Sequence, residues 1–454
     1  MTKVILKGSV LVKDAPTNII ERLERELTFD NPKYKQAVKN GYYIDPAKTP
    51  MYLEYYKRRG SSIIVPRALC GMICKFLRMD QKEVNDFTVA PAIDLTFTGA
   101  LRPYQEAAQT DVLARRYGIL EAGTGAGKTV MGISIAAERG VRTLVIVHNK
   151  ELLNQWKDRF AEFTNVAKKD IGIIGDGKFK IGDVTVGIIN SVQKKADAIK
   201  NEFGLVLYDE CHRTLGDMWV KTINTLRPKF HVGLSATPYR SDGLTKALFR
   251  MVGPKLHVVD RKYLEATGAI LIPDIIKIQT TFSYNFNNDY STMLSRLAQN
   301  DARNIMVANA IIDEFRKTKE PLMIVSDRVS HCEILTELIQ GEAGIRAVVL
   351  SGKVSKTIRK QAVADVKSGK FNVLVSTIPL LGEGFDAPTL NGMFLTTPIK
   401  FGGRLLQTVG RVLRPSASGR MPRVFDFRDT LVPVLRYSGF ARDRIYKKYG
   451  WRDV

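Results

Sequence analysis

Short runs of consecutive apolar residues recur along most of the chain, and each is followed by a polar or amphipathic stretch. Between residues 91 and 260 the runs are YGILEA, TLVIVH, VTVGIIN, LVLYDE and HVGLSA, and from about 275 onward they are PLMIVSD, RAVVLSG, FNVLVST, GMFLTTP and PRVFDFR. Runs that are apolar throughout are typical of parallel strands buried on both faces. Two successive series of strands and helices predict two doubly wound α/β domains, at residues 91–260 and 261–454.

The first 90 residues have a different pattern. A strand-like opening, VILKGSVLV, precedes a helical repeat of apolar positions from Thr17 to Leu27. An aromatic and basic run follows, made of Tyr52, Tyr55, Tyr56, Lys57, Arg58 and Arg59. Such rings can stack on unpaired bases while the cations meet phosphates; alternatively, the tyrosines are core residues and the cations face solvent. Residues 1–90 are predicted to be a small basic α+β module, with nucleic-acid binding as one of these two interpretations.

Charge narrows the class of partner. Lys and Arg number 69 against 46 Asp and Glu, which gives a formal net charge of +23. This excess indicates a polyanionic partner, either nucleic acid or an anionic membrane surface. No apolar run is long enough to span a membrane, no amphipathic anchor is evident, and the N-terminal sequence lacks the apolar core of a signal peptide. Four cysteines do not make a disulfide framework, so Cys70 and Cys74 are expected to be buried thiols in a cytoplasmic protein.

A glycine-rich loop is the strongest single motif. Ala122, Gly123, Thr124, Gly125, Ala126, Gly127, Lys128 and Thr129 lie between the strand YGILEA and the apolar helix VMGISIAAE. Glycines let backbone N–H groups face phosphates, and the helix N-terminus favours an anion. Lys128 is expected to reach the β- and γ-phosphates of ATP, and Thr129 to bind Mg²⁺. Ala122 replaces the first glycine of the strict pattern, at the end of the strand.

A second motif, LVLYDECH, places two acids at the end of an apolar strand. Asp209 is expected to hold Mg²⁺, and Glu210 to orient and polarise the attacking water. A strand that ends in two acids is weak evidence for a nucleotide hydrolase when it occurs alone. It is strong evidence when the sequence also contains a phosphate-binding loop.

With these residues the chain resembles the superfamily 2 DEAD/DEAH-like helicases, because DECH at 209–212 is a variant of their acidic box. Further family motifs follow in order over residues 101–415: LRPYQ at 101–105, VHNK at 147–150, INSVQ at 189–193, SATP at 235–238, IVSDR at 324–328, ST at 376–377 with GEGFD at 382–386, and QTVGRVLR at 407–414. The resemblance implies two RecA-like motor domains, hydrolysis of ATP and contact with nucleic acid.

The resemblance also assigns residues. Arg102, Gln105, Gly384 and Asp386 would bind ATP, with Gln105 on the adenine edge. His212, Ser235, Ala236 and Thr237 would couple hydrolysis to nucleic-acid contact. The expected DNA contacts follow strand ends, where open α/β sheets bind ligands, and a helix cap is the alternative role for each of them: Asn149, Lys150, Ser191, Gln193, Ser326, Arg328, Ser376 and Thr377.

The last motif has a physical rationale of its own. Arg411 and Arg414 are one helical turn apart, and two planar guanidinium groups at this spacing can hold a γ-phosphate. Gln407 opens the same motif. Since these residues belong to the second motor domain, ATP is expected to bind between the domains, and its hydrolysis to release them from each other.

The linker YLEATGAILIP resembles the segment that joins the motor domains in the branch of the UvsW-type phage helicases and the XPB-like translocases. The architecture most resembles the UvsW-type proteins, which remodel Holliday junctions, forks, displacement loops and R-loops. The leading hypothesis is an ATP- and Mg²⁺-dependent DNA helicase that drives branch migration, working as a monomer on single-stranded, duplex and branched DNA in the cytoplasm of a bacterium or infected host. The alternatives are a helicase of RNA or RNA–DNA hybrids, a nucleic-acid binding or annealing protein switched by ATP, and an ATPase of the membrane surface.

Overall fold

The computed structural model describes residues 2–123, 125–240, 242–267, 272–342, 344–350, 361–362, 364–365, 368, 370–377, 390–399, 409 and 419–454. The chain divides into two compact units. The first holds residues 1–123 and 127–260, and the second holds residues 261–454 with the short segment 124–126.

The first unit begins with a small α+β region built on a sheet of order β5-β6-β2-β1-β7 and a separate pair, β3 with β4. The predicted helix from Thr17 to Leu27 is confirmed, and it buries Ile20, Leu23 and Leu27 on one face. The elements are β1 Lys3–Leu6, β2 Ser9–Lys13, α1 Thr17–Leu27, β3 Thr28–Asp30, α2 Pro32–Lys39, β4 Tyr52–Glu54, β5 Lys57–Arg59, β6 Ser62–Pro66, α3 Cys70–Leu77 and β7 Asn85–Asp86.

The rest of the first unit is an eight-stranded sheet of order β11-β10-β12-β9-β13-β14-β8-β15, with helices packed against it. Its strand pairs are parallel except for β10 with β11, and β9 and β13 are buried along their whole length. The elements are α4 Pro103–Leu113, β8 Tyr117–Glu121, α5 Lys128–Arg139, β9 Thr143–Val147, α6 Lys150–Phe163, β10 Gly172–Gly175, β11 Lys178–Lys180, β12 Val184–Ile188, α7 Ile189–Lys195, β13 Leu205–Asp209, α8 Asp217–Thr225, β14 Phe230–Ser235, α9 Thr245–Val252 and β15 Lys255–Val258.

The second unit contains a seven-stranded sheet of order β18-β19-β17-β20-β21-β16-β22 whose strand pairs are all parallel. The predicted fold class of two parallel-sheet motor domains with a small N-terminal region is confirmed. The elements are α10 Arg261–Ala266, β16 Asp274–Gln279, α11 Tyr290–Ala298, α12 Asp301–Thr318, β17 Leu322–Ser326, α13 Val329–Gln340, β18 Ala347–Leu350, β19 Val373–Thr377, β20 Gly392–Leu395, β21 Arg423–Arg428, α14 Pro433–Lys448 and β22 Arg452–Asp453.

One fully buried arginine fastens the N-terminal region to the large sheet of the first unit. The Arg67 guanidinium donates hydrogen bonds to the carbonyl oxygen of Gly8 at 2.9 Å and, across the boundary, to those of Pro228 at 2.9 Å and Ile223 at 3.0 Å, with Leu226 as a further acceptor. Since five N–H donors in a rigid fork match several carbonyls at once, this one side chain fixes the two parts to each other.

Apolar side chains extend the same contact. Phe29, Leu53 and Tyr55 pack against the core on one face of the large sheet, and Tyr55 also belongs to the core of the N-terminal region together with Tyr56. Tyr52 is 46% exposed, and all of Lys57–Arg59 faces solvent. The aromatic and basic run is therefore divided between the two interpretations: Tyr55 and Tyr56 contribute to the core, whereas Tyr52 and the cations lie on the surface.

Across the part of the chain that the structure describes, no helix has both the length and the apolar character needed to cross a lipid bilayer. The four cysteines are unpaired and buried.

Candidate active site

The glycine-rich loop joins β8 to α5 in the first unit. Gly125 and Gly127 have left-handed backbones, with φ of 88° and 81°, which residues with a Cβ rarely adopt. At Gly127 a Cβ would lie only 2.4 Å from Nε2 of the buried Gln105, so a larger residue there would displace the Gln105 amide. The helix then begins at Lys128, and its free backbone N–H groups face the loop. A loop of this kind that leads into a helix N-terminus can hold a phosphate group.

The two acids of the DECH motif lie close to the loop lysine. Oε1 of Glu210 is 3.7 Å from Nζ of Lys128, and both side chains are largely buried. Asp209 accepts a hydrogen bond from Nε1 of Trp156 at 2.9 Å on one carboxylate oxygen and from the backbone N–H of Glu210 at 3.0 Å on the other. The structure thus brings together the three residues to which the sequence assigns phosphate, metal and water chemistry.

The two carboxylates are in different electrostatic environments. Burial, and then the charge of Glu210, raises the pKa of Asp209 to about 6. Burial also acts to raise the pKa of Glu210, but the positive charges of Lys128, His212 and Arg213 outweigh it, so this pKa is lowered. A buried carboxylate whose ionised form is disfavoured is one that a cation would stabilise. Glu210 is kept ionised, as a group that polarises water must be.

The predicted coupling residues meet beside this pair. Nδ1 of His212 lies 3.4 Å from Oε2 of Glu210 and 3.2 Å from the hydroxyl of Ser235, which also accepts a hydrogen bond from the backbone N–H of Thr237 at 3.2 Å. Arg240 donates to the carbonyl oxygen of His212. Ser235 is fully buried at the end of β14, so the acidic motif and the SATP segment, which includes Ala236, are joined by one hydroxyl.

Gln105 is buried at the start of α4. Its side-chain oxygen accepts the backbone N–H of Arg102 at 2.9 Å, and its amide nitrogen faces Gly127. The side chain of Arg102 is exposed, and Thr129 is half-buried in the first turn of α5. Gln105 thereby connects the start of α4 to the phosphate loop. That Gln105 and Arg102 contact the adenine stays a prediction.

The expected DNA contacts of the first unit lie just beyond β9 and β12. Asn149 caps α6 by accepting the backbone N–H of Leu152 at 2.9 Å, while Nζ of the exposed Lys150 is 2.5 Å from Asp176. Ser191 and Gln193 are half-buried in α7. For Asn149 the observed contact is the helix cap, which was the alternative role, and for the others a DNA contact stays a prediction.

In the second unit, the corresponding hydroxyls lie inside. Ser326 is fully buried and bonds to Nδ1 of His331 at 3.0 Å, and it accepts the backbone N–H of Arg328 at 3.1 Å. The Arg328 guanidinium donates to the backbone and hydroxyl oxygens of Ser291. Ser376 and Thr377 are buried at the end of β19. The Ser326 hydroxyl thus holds the turn that leads into α13, whose N-cap residue is Arg328 and has no side-chain cap. DNA contact by these four residues stays a prediction.

The remaining assigned residues lie outside the residues that the structure describes: Thr124, Gly384, Asp386, Gln407, Arg411 and Arg414. Their roles stay as the resemblance implies them.

Two residues of the site had no role assigned from the sequence. Trp156 holds Asp209 through its indole N–H. His148 directly follows β9, with both ring nitrogens buried and without a hydrogen-bond partner, and burial, followed by the charge of Arg213, lowers its pKa to about 4. The contact of Trp156 has no signal of its own in the sequence, because it depends on α6 packing beside the end of β13 that carries Asp209.

The residues present fit a nucleotide with a metal ion. The left-handed glycines and the helix N-terminus match phosphate oxygens, and the disfavoured ionised form of Asp209 matches a cation. Among the described residues no three His, Cys, Asp or Glu side chains form a metal cluster. Mg²⁺ bound to nucleotides does not need one, since phosphates and waters supply most of its ligands.

Comparisons with known proteins agree with this geometry. Residues 98–240 match the model for the res subunit of type III restriction enzymes, and residues 305–416 match the helicase conserved C-terminal domain. A putative ATP-dependent RNA helicase, L396 of Acanthamoeba polyphaga mimivirus, is 26% identical over 448 residues, which cover 91% of this chain and 81% of that protein. The DNA 3'-5' translocase XPB2 of Sulfurisphaera tokodaii is 26% identical over 358 residues, which cover 69% of this chain and 78% of that protein.

Solved structures show the same fold. Dbp5 of S. cerevisiae, bound to RNA and ADP BeF3, matches with a TM-score of 0.57 and 16% identity over 78% of this chain and 89% of that chain. T4 UvsW matches 100% of this chain and 98% of that chain at 19% identity, with a TM-score of 0.42. The chain belongs to the superfamily 2 DEAD/DEAH-like helicases and is an ATP-dependent helicase.

Proposed function

We propose that this helicase is a DNA translocase that remodels Holliday junctions, forks, displacement loops and R-loops by branch migration in recombination, repair and replication. The observation that carries the proposal is the rigid attachment of the N-terminal region to the first motor sheet through Arg67. A motor that pulls one strand while a fixed second surface holds another arm can move a branch point.

The surface of that region suits a DNA arm. Strand β5 consists of Lys57, Arg58 and Arg59, is exposed throughout and forms the outer edge of its sheet. Tyr42 and Tyr43 add aromatic residues that are 67% and 94% exposed to solvent. The cations can bind the phosphates of a DNA arm, and the aromatic rings can stack on bases that are unpaired at the branch point. A relative named as a DNA translocase supports DNA as the substrate.

Hydrolysis is assigned to the site in the first unit. Lys128 and the N-terminus of α5 hold the phosphates of ATP, and Asp209 and Thr129 hold Mg²⁺, which supplies charge neutralisation at the phosphates when bound. Glu210, ionised and directed to the same place, accepts hydrogen bonds from the attacking water and orients it. His212 and Ser235 transmit the state of Glu210 to the SATP segment.

The test compares ATP hydrolysis without nucleic acid and with single-stranded DNA, duplex, a four-way junction and an RNA–DNA hybrid at one salt concentration, with arm exchange measured in parallel. Junction-stimulated hydrolysis together with arm exchange is the expected result. Stimulation by linear single strands alone, without arm exchange, would refute branch migration.

A second candidate is unwinding of RNA or of RNA–DNA hybrids, which is favoured by the mimivirus relative named as an RNA helicase. In the same assay it predicts stimulation by RNA or hybrid and none by DNA. Both candidates keep the ATPase site, and both place the chain, as a monomer, in the cytoplasm of a bacterium or infected host.

A further inference from the structure

A two-stranded hairpin ends the large sheet of the first unit. Strand β11 is its outermost strand and pairs antiparallel with β10, with Gly175 opposite Lys178. Because β10 runs parallel to β12 and β9, the hairpin turn at Asp176–Gly177 lies at the carboxyl edge of the sheet. The 2.5 Å ion pair between Asp176 and Lys150 fixes the turn beside the start of α6.

Lysines crowd one side of this hairpin. Lys178 and Lys180 of β11 are exposed, and they lie close to Lys157 of α6 and to Lys168. Burial, and then the charges of Lys168, Lys178 and Lys180, lowers the pKa of Lys157. The carboxylate that offsets them, Asp158, is already 2.5 Å from Lys168. The side therefore carries an excess of positive charge.

An exposed ring lies on the other side. Side chains alternate along a strand, so Phe179 points away from Lys178 and Lys180. It is 51% exposed, and Nζ of Lys195 lies 5.5 Å from its ring centroid. Lys195 ends α7, the helix that contains the expected DNA contacts Ser191 and Gln193.

We propose that the basic hairpin (Lys157, Lys178, Phe179, Lys180 and Lys195) is an additional nucleic-acid contact that extends the strand path beyond α6 and α7. A nucleic-acid strand that crosses the outer edge of β11 places its phosphates against the lysines and stacks one base on the ring of Phe179. The inference rests on the proposed path past β9 and β12, and it adds a position at which a base is stacked.

The first test removes the two lysines of β11. We expect Lys178→Gln with Lys180→Gln to weaken binding of a labelled oligodeoxythymidine roughly tenfold and to make the dependence of log K on log salt shallower by about two, measured by fluorescence anisotropy. The matched control is Lys221→Gln with Lys317→Gln, two exposed helix lysines that carry the same charge. Losses equal to those of the control would overturn the proposal. So would increased self-association with an unchanged salt dependence, because the lysines would then only protect a sheet edge.

The second test examines the ring. Trp156, Trp219 and Trp451 are buried, so Phe179→Trp adds an exposed indole whose emission reports its surroundings. We expect the unlabelled oligonucleotide to quench that emission, and Phe179→Ala to weaken binding roughly tenfold while Phe179→Trp does not. Unchanged emission at saturating oligonucleotide would refute the stacking.

These outcomes are separable from the proposed function. A wild-type chain that exchanges no junction arms but binds oligonucleotide more tightly than the β11 variants would refute branch migration and leave the hairpin contact standing. The reverse result would refute only the hairpin contact.

Discussion

Glu210 is a non-glycine residue with a left-handed backbone, at a φ of 51°. This conformation costs of the order of 1 kcal/mol and persists where the surrounding structure holds it. Here it directs the backbone N–H to Asp209 and the side chain to Lys128. The strain therefore orients the residue to which water activation is assigned.

Glu210→Gln keeps the size of this side chain and removes its charge. We expect ATP binding to persist and hydrolysis to fall at least about a hundredfold, because an amide does not polarise water as a carboxylate does. Nucleotide affinity and steady-state turnover measure the two effects. Glu162→Gln, on the exposed face of α6, is the control, and a turnover near that of wild type in Glu210→Gln would contradict the assignment.

A buried histidine in the second unit makes stability depend on pH. His331 is bonded to Ser326 and to Oδ1 of Asn304, and burial, then the charge of Arg303, lowers its pKa to about 3. The unfolded chain, with an imidazole pKa near 6.5, binds more protons than the folded chain between pH 6.5 and 3. Stability is thus lost as the pH falls through this window.

At pH 5 this loss is about 2 kcal/mol relative to pH 7. We expect His331→Gln, which keeps a hydrogen-bonding amide but does not titrate, to lose about 2 kcal/mol less than wild type between these pH values, as measured by urea denaturation. Equal losses of unfolding free energy in the two proteins would show that the folded chain protonates His331 as readily as the unfolded chain does.

Sequence reasoning named Lys128, Asp209 and Glu210 because each lies inside a short motif whose chemistry is local. It missed the role of Trp156, whose indole meets Asp209 across 53 residues. That contact depends on β9 and β13 being neighbours, and strand order is not written in any local pattern. Nor does any local pattern show that the Ser326 hydroxyl is buried against His331, and a DNA contact by Ser326 stays a prediction.

At the scale of elements, the apolar runs marked the buried strands of both sheets, and their positions are confirmed. They did not mark β16, whose sequence DIIKIQ is mostly half-buried, or the exposed β11. Strands near the edge of a sheet bury less of their surface, so the signal that identifies central strands is weak there. Nor did any pattern indicate that Arg67 joins two regions.

Arg67 is the residue whose loss should separate the N-terminal region from the motor. Arg67→Leu leaves several buried carbonyl oxygens without donors, and we expect it to destabilise the first unit by at least about 3 kcal/mol. Arg67→Lys keeps the charge without the fork and should recover only part of this. Thermal denaturation gives the stability, and limited proteolysis between residues 87 and 100 reports the separation.

The control is Arg58→Leu in the exposed strand β5, with an expected change within about 0.5 kcal/mol. An Arg67→Leu variant as stable and as resistant to protease as this control would show that the apolar contacts of Phe29, Leu53 and Tyr55 suffice for the attachment.

At the scale of the whole molecule, the attachment of the N-terminal region to the large sheet determines which variants can test DNA binding by that region. Deleting residues 1–90 would expose the apolar surface under Tyr55 and would damage the motor itself. We expect Lys57→Gln with Arg59→Gln to weaken junction binding about tenfold, with a smaller loss for linear single strands and an unchanged melting temperature. Binding to both DNAs at different salt concentrations is the measurement, and equal losses for both would refute a role in holding an arm.

The contacts of Arg67 also set an order of events during synthesis. Its acceptor on Pro228 lies 161 residues downstream. A ribosome adding about 5–20 residues per second needs roughly 10–30 s to make that stretch. Through this interval the nascent N-terminal region has its own hydrophobic core but not the surface on which it docks. The guanidinium can make its full set of hydrogen bonds only after Pro228 has left the exit tunnel, so docking of the N-terminal region follows synthesis of most of the large sheet.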